Sequence, residues 1–356
     1  MKSSLAVVGT LLLLGLAVGA NSAKQLYGPG MNSGAPVEAH VLTSSNWNDN
    51  IEDGKEADAI YGDLVLKNGV LTVVIAQPLA TRHANMTVRD VAGAIIDLTS
   101  SDAGDDQLAA FYPGKKRFAY RAASFRDASG NETTPTGKGI SGKRVSVVVK
   151  AEQTATLPEV RVVYTLSEGD AFVSVQSNFH NRGSTELTVP LEDDFRADGG
   201  KEEMVRSPNA TSDRFWLSDR HWGQAYGLSA VGRQMLMNSD ARTTAIKYEA
   251  GPTETSITLK PGASFQLTRT LYSAESVFHV AEQSRRLLMQ GYRPEQLAYG
   301  TGGPRDPDAF YSEALLRDAF SDFEILELSA YDAELDEGSA HAGPSAVIDL
   351  VARRSA

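Results

Sequence analysis

IYGDLVLKNGVLTVVIAQPLATRHANMTVRDVAGAIIDLT, residues Ile60 to Thr99, decides the fold class. Leu64 and Leu66 alternate with their neighbours, Asn68-Gly69 follows, and Val70, Leu71, Val73, Val74 and Ile75 resume the apolar run. Asn and Gly both tolerate positive φ, so an Asn-Gly pair between two β-forming runs predicts a hairpin. A polar connector carrying Arg82, His83, Asn85, Arg89 and Asp90 then leads to a third run, Ala94-Ile95-Ile96-Asp97-Leu98. The organising element is a sheet and not a catalytic motif.

The same grammar spreads outward. Val145–Val149 reads as a strand. Val160–Leu166 and Phe172–Phe179 flank Glu168-Gly169-Asp170 as a second hairpin. Leu187–Leu191 reads as an edge strand, because Pro190 cannot donate to a ladder. Phe265–Leu271 alternates after the turn at Lys260-Pro261-Gly262, as a half-buried strand should. Before the hairpin, residues 23–59 read as a loose lead-in with Val37–Leu42 as an edge strand, and Asp127–Lys143 reads as a long turn. Many short strands with few helical patterns predict a mainly β chain: a large antiparallel β-sandwich, supersandwich-like, over residues 60–275.

Beyond it the pattern changes. Val277, Val280, Ala281 and Leu287-Leu288 fall at helical spacing and predict a helix over 274–290. Ser312 is placed to cap a helix running to Phe320, and Phe323–Leu328 and Ala346–Ala352 read as strands. Residues 276–356 are thus expected to form a short C-terminal α/β segment, with a boundary between 275 and 292.

Residues 1–22 read as an export signal: Lys2 carries the charge, Leu5 to Ala20 the apolar core, and Val18-Gly19-Ala20 a cleavage site, with Ala20-Asn21-Ser22 as the alternative. The apolar run falls short of the roughly 20 residues a spanning helix prefers. The expected address is periplasmic or extracellular, with no membrane association after signal cleavage. The chain has no cysteine, which excludes disulfides, thiolate metal sites, cysteine nucleophiles and a lipoprotein anchor. Its net charge of −11 argues against nucleic acid and anionic membranes as partners. No cofactor and no metal is expected, since no H-x-H or H-x-x-x-H occurs among the six scattered histidines.

Arg214 to Tyr226 is the densest functional-looking stretch. Sugar faces stack on indole rings while flanking polar groups hold hydroxyls, so Trp216, Asp219, Arg220, Trp222, Gln224 and Tyr226 are the candidate ligand-binding residues. The bland alternative is that Trp216 and Trp222 pack a loop onto the sandwich while Arg220 pairs with Asp219. His83, Asp90 and His221 are the candidate catalytic residues, a histidine with a carboxylate being the minimum for acid–base work; Arg82 and Arg89 share their connector. Asp102, Asp105 and Asp106 lack the spacing of a calcium loop, and Asp193-Asp194 with Glu192 reads as another solvated acidic run. Gly137, Gly139 and Gly142 spell G-x-G-x-x-G but precede a strand and not a helix, so they fail as a nucleotide loop.

Two resemblances complete the reading. Tyr61-Gly62-Asp63 with its hairpin, Tyr164–Phe179 with Asn181, and Leu259-Lys260-Pro261-Gly262 resemble secreted domains of the galactose-mutarotase-like supersandwich kind, and the N-terminal β-domain of some exported metal-dependent hydrolases. Gln296–Pro304, the Tyr311–Phe320 helix, and Glu337-Gly338 with His341 and Gly343 resemble the tail of class I S-adenosylmethionine-dependent methyltransferases. The Gly-rich cofactor loop of those enzymes has no counterpart upstream. The expected function is therefore an exported β-sandwich binding or accessory module, for carbohydrate, with no catalytic motif to name; the alternatives are a mutarotase-like epimerase or lyase on the sandwich and a methyltransferase-related fusion protein. Protein partners are not legible.

Overall fold

The computed structural model describes residues 35–51, 58–101, 108–197, 204–206, 210–219, 223–230, 232–240, 242–251, 254–274, 286–300, 306, 309–321, 323–336 and 342–354. It divides into two compact units that meet in sequence at Arg285/Arg286.

The larger unit is a sandwich of two antiparallel sheets. From edge to edge the ten-stranded sheet runs Thr211–Ser212, Met235–Ser239, Thr243–Tyr248, Glu192–Ala197, Leu108–Pro113, Ile95–Ser100, Leu71–Ile75, Leu64–Lys67, Val37–Val41 and Ile140–Gly142. The nine-stranded sheet runs Met204–Arg206, Arg214–Asp219, Gln224–Ala230, Ser264–Ala274, Phe172–His180, Glu159–Ser167, Arg144–Ala151, Ala122–Arg126 and Glu132–Thr133. A separate two-stranded ribbon pairs Leu187–Pro190 with Ser256–Leu259. The mainly β antiparallel sandwich that the strand grammar predicts is the fold observed.

Side-chain alternation explains the layering. Along Phe172–His180, Val173, Val175, Ser177 and Phe179 are buried while the intervening residues are half-exposed, the period of two that turns one face of a strand inward. Leu64, Leu66, Val73, Ile75 and Ile95 join Val147, Val162, Val175 and Leu271 in one apolar core between the sheets. The strands around Ile60–Thr99 have a second buried face: Val65, Val74 and Ile96 point the other way and pack under Val88, Val91, Ala94 and Tyr112. These strands of the ten-stranded sheet are thus covered on their outer side by the loops that join them.

The predicted hairpin forms, with Lys67 opposite Thr72. Gly69 supplies the positive φ (78°). Asn68 does something else: its Oδ1 accepts from the backbone N–H of Val70 (3.1 Å) and Leu71 (2.9 Å), and its Nδ2 donates to the carbonyls of Ser167 and Asp170 at 2.8 Å each. The turns of the two hairpins recognised in the sequence are tied together by one side chain.

Three expectations change. Val37–Val41 is not an edge strand: it pairs with Leu64–Lys67 on one side and with Ile140–Gly142 on the other. The long turn at 127–143 therefore contains that outer strand, and Gly139 (φ 66°) is required there because a Cβ would overlap the Ala39 carbonyl oxygen. The acidic run at 192–194 is not solvated, since Glu192–Ala197 is an interior strand with Glu192 and Asp193 buried. Asp102, Asp105 and Asp106 lie outside the described residues.

The smaller unit is a three-stranded antiparallel sheet, Arg286–Tyr292, Ala342–Arg354 and Phe323–Asp336. Two short helices accompany it, α1 (Gln296–Tyr299) and α2 (Glu313–Ala319). Ser312 caps α2 as expected, its hydroxyl accepting from the Leu315 N–H at 3.2 Å. Leu287-Leu288 belong to a strand and not to a helix; residues 275–285, the rest of that predicted helix, lie outside the described residues, as do Glu337, Gly338 and His341.

Candidate functional site

Asp193 and Arg269 form the polar centre of the sandwich. The Arg269 Nε donates to Asp193 Oδ2 at 2.9 Å, with side chains 0% and 1% exposed. Tyr248 donates to the same oxygen at 2.6 Å, and the Gly114 N–H donates to Asp193 Oδ1 at 2.8 Å. The Arg269 Nη1 is held by Ser177 Oγ (3.0 Å) and the Leu267 carbonyl (2.9 Å). Burial is the largest single effect and lowers the guanidinium's proton affinity, but the Asp193 charge and hydrogen bond, together with Tyr248 and Tyr164, outweigh it and hold Arg269 above the usual arginine value. Burial, with the Asp193 charge behind it, pushes the Tyr248 phenol well above its usual value. The sequence does carry a signal for this pair. Arg269 is in phase with Leu267 and Leu271, and Asp193 with Leu191 and Phe195; a charge on an apolar phase requires a buried partner.

Through the Gly114 N–H that network joins a turn at the surface. Gly114 (φ 71°) opens the turn that carries Lys115, Lys116 and Arg117. On the opposite side, Tyr164 donates to the Gly93 carbonyl at 2.5 Å, and Gly93 (φ 74°) packs so closely on the Tyr120 ring that a Cβ would lie 2.9 Å from it. Between these walls lies a cleft of about 190 Å³, floored by Ala94, Phe118 and Tyr120 and rimmed by Asp90, Lys116, Arg117 and Arg121. Tyr112 and Lys116 both donate to the Arg89 carbonyl, at 3.1 and 2.7 Å, and the Lys116 ammonium stands 4.2 Å from the Tyr112 ring centre.

Among the described residues, the non-glycine residues with positive φ are Asp90 (56°), Lys115 (54°) and Lys116 (61°). Two of them line the cleft and the third is adjacent to it. Such conformations cost roughly 1–3 kcal/mol each and persist where surrounding contacts impose them, which is characteristic of functional sites.

The connector predicted to carry chemistry splits in two. Arg82 is buried and structural: it pairs with Asp63 (Nη2–Oδ2 2.6 Å), donates to the Asp58 carbonyl at 2.8 Å, and also bonds the His83 carbonyl. The Asp63 carboxylate in turn accepts from Ile60 N–H (2.8 Å) and Gln77 N–H (2.9 Å), so this ion pair fixes both ends of the loop work above the sheet. His83 and Asp90 are brought together. His83 Nδ1 accepts from the Asp90 N–H at 3.0 Å and lies 3.8 Å from the Asp90 carboxylate, with both side chains substantially exposed. Nearby, Tyr61 is 59% exposed and meets the Trp47 ring edge-on at 5.3 Å.

The described part of the tryptophan stretch takes a different place. Asp219, Gln224 and Tyr226 are fully buried, and Trp216 is half-buried against Phe172, Ala225 and Tyr272. Asp219, Gln224 and Tyr226 lie inside the Arg214–Asp219 and Gln224–Ala230 hairpin, and Trp216 keeps part of its surface exposed; Arg220, His221 and Trp222 lie outside the described residues. Buried Gln224 donates to Ser273 at 3.2 Å. What sequence reading missed is the Tyr112–Arg121 segment, YPGKKRFAYR, whose three consecutive cations stand out in an acidic chain.

No family model and none of the curated proteins matches the chain. Among solved structures it is similar to a TPR-domain containing protein from Parabacteroides distasonis, at 12% identity and TM-score 0.43 over 60% of this chain and 47% of that one. It is similar to an alpha-galactosidase from Lactobacillus brevis at 14% identity and TM-score 0.37, over 63% of this chain and 40% of that one. A galactose mutarotase-like protein from Lactobacillus casei is covered in full by 60% of this chain, at 13% identity and TM-score 0.35. The chain thus spans less than half the length of the first two. The methyltransferase-tail resemblance gains no support from these comparisons, and at this level the similarities are ones of strand arrangement that carry no family assignment.

Proposed function

We propose that the protein is an exported β-sandwich binding module for carbohydrate, with its site in the cleft between Ala80–Ala94 and Gly114–Arg121. The observation supporting this reading is the cleft's composition: an apolar floor ringed by a carboxylate and three cations, Asp90, Lys116, Arg117 and Arg121. Sugar sites combine an apolar surface with a few convergent polar groups that fix orientation. A glycan array probed with the purified protein and with Asp90→Ala tests it: selective binding that the variant loses supports the module, and a flat array removes it. Export is tested by N-terminal sequencing of the secreted protein; a mature chain that retains residues 1–20 contradicts it.

The His83–Asp90 contact favours a second reading, a mutarotase-like epimerase, in which Asp90 orients the imidazole and His83 exchanges a proton with a sugar ring oxygen. Anomer interconversion followed by NMR at the rate of buffer alone would exclude it.

A further inference from the structure

We propose that the cleft takes an acidic sugar, holding a uronate carboxylate on the Lys116 and Arg121 wall while Asp90 on the opposite wall accepts from the sugar's hydroxyls. The inference rests on the carbohydrate reading of the cleft and names the class of its ligand.

The two walls carry opposite charge. The Ala80–Ala94 side contributes Asp90, and the Gly114–Arg121 side contributes Lys116, Arg117 and Arg121. The three cations are not equivalent. Arg117 is already neutralised by Glu192, with Nε 2.6 Å and Nη2 2.5 Å from its carboxylate. Lys116 donates to a carbonyl and sits over a ring, and the Arg121 backbone N–H bonds the Lys150 carbonyl; among the described residues neither side chain stands within ion-pair distance of a carboxylate, though the Asp90 and Asp194 charges act on Lys116 from further off. In a chain of net charge −11, two cations on one wall of one cleft with no carboxylate in ion-pair contact are a local reversal of sign on that wall.

Lys116 is also held there at a cost. Its backbone is in the left-handed region (φ 61°), and burial lowers its ammonium below the usual lysine value, which Asp90 only partly offsets. A ligand anion on this exposed ammonium would offset the backbone cost, because hydrogen bonds between ions are about twice as strong as neutral ones. The position of the turn is set from beneath by the Asp193 bond to Gly114, so the ammonium needs little ordering when the ligand arrives.

The test is calorimetric titration with an oligogalacturonate, its methyl ester and a neutral galacto-oligosaccharide. The acid is expected to bind, the ester roughly tenfold or more weakly because the charge-assisted contact is gone, and the acid's affinity to fall as salt is raised. Arg121→Gln should weaken the acid roughly tenfold while leaving the melting temperature unchanged. Equal binding of acid and ester overturns the inference, as does unaltered acid binding in both Arg121→Gln and Lys116→Gln. Binding of the neutral sugar without the acid overturns the ligand class and leaves the module standing. A flat array with no binding of any of the three removes both.

Discussion

Arg269 and Asp193 meet at 2.9 Å in the middle of the sandwich, one from each sheet, and neither side chain reaches water. Removing one partner of such a pair leaves an uncompensated buried charge, which costs roughly 3–5 kcal/mol. Arg269→Met is therefore expected to lower the urea midpoint by that equivalent. The double variant Arg269→Met with Asp193→Leu should recover much of the loss, since the orphaned carboxylate is gone. A double variant no better than the single one would show that the pair's charge is not the cause.

Gly114 links that pair to the cleft. Alanine there must adopt φ near 71° and would place its Cβ 2.6 Å from the buried Phe118 ring. Gly114→Ala is expected to destabilise by about 2–3 kcal/mol, of which roughly 1 kcal/mol is the left-handed backbone alone. Gly130→Ala isolates the backbone share, because Gly130 has φ 88° with nothing within 4 Å of the added carbon. Equal losses in the two variants, measured by chemical denaturation, would contradict the ring clash.

The strained rim predicts a trade between stability and binding. Lys115→Gly and Asp90→Gly each relieve a left-handed backbone, and each is expected to raise stability by up to about 1 kcal/mol. Asp90→Gly should lose sugar affinity because it removes a rim acceptor. Lys115→Gly should largely keep it, since Lys115 makes only a 3.9 Å contact with Asp194. Thermal denaturation and the titration above separate the two effects.

Asp170 makes stability depend on pH. Burial raises its carboxyl to about 6, against an ordinary value of 3.8, despite its bonds with Ser167. A carboxyl whose folded value is raised favours the folded state while protonated, so its contribution is complete below about 4 and is lost as pH climbs through about 6. The span corresponds to up to about 3 kcal/mol. Asp170→Asn keeps an acceptor for the Ser167 N–H and removes the charge. It should match the parent near pH 4 and exceed it at pH 7.5 in urea unfolding; a constant difference across that range would contradict the assignment.

The sequence shows the strands far better than it shows the cleft. Val160–Leu166 and Phe172–Phe179 are legible because one face of each is apolar at period two, and the folded pair keeps that phase with Tyr164 opposite Val175. The hairpin at Asn68-Gly69 is legible from turn chemistry alone. The cleft is not, because its walls lie about 30 residues apart in loops, and no periodicity records that Gly93 and Gly114 are fixed by Tyr164 and Asp193. The tryptophan stretch attracted a ligand reading by composition, but composition does not record that Asp219, Gln224 and Tyr226 sit buried in paired strands. The helix predicted through Leu287-Leu288 failed for a related reason: a short apolar run suits either structure, and pairing with Ala342–Arg354 decides for the strand.

The Asn68 side chain bonds carbonyls 99 and 102 positions further along the chain. Neither hairpin tip can complete its hydrogen bonding until the other sheet has arrived, and closing a loop of that size must precede the reward. Contacts distant in sequence thus complete local ones, and the sandwich is expected to fold slowly for that reason; a truncated half-sandwich should leave the tie between the two turns unmade.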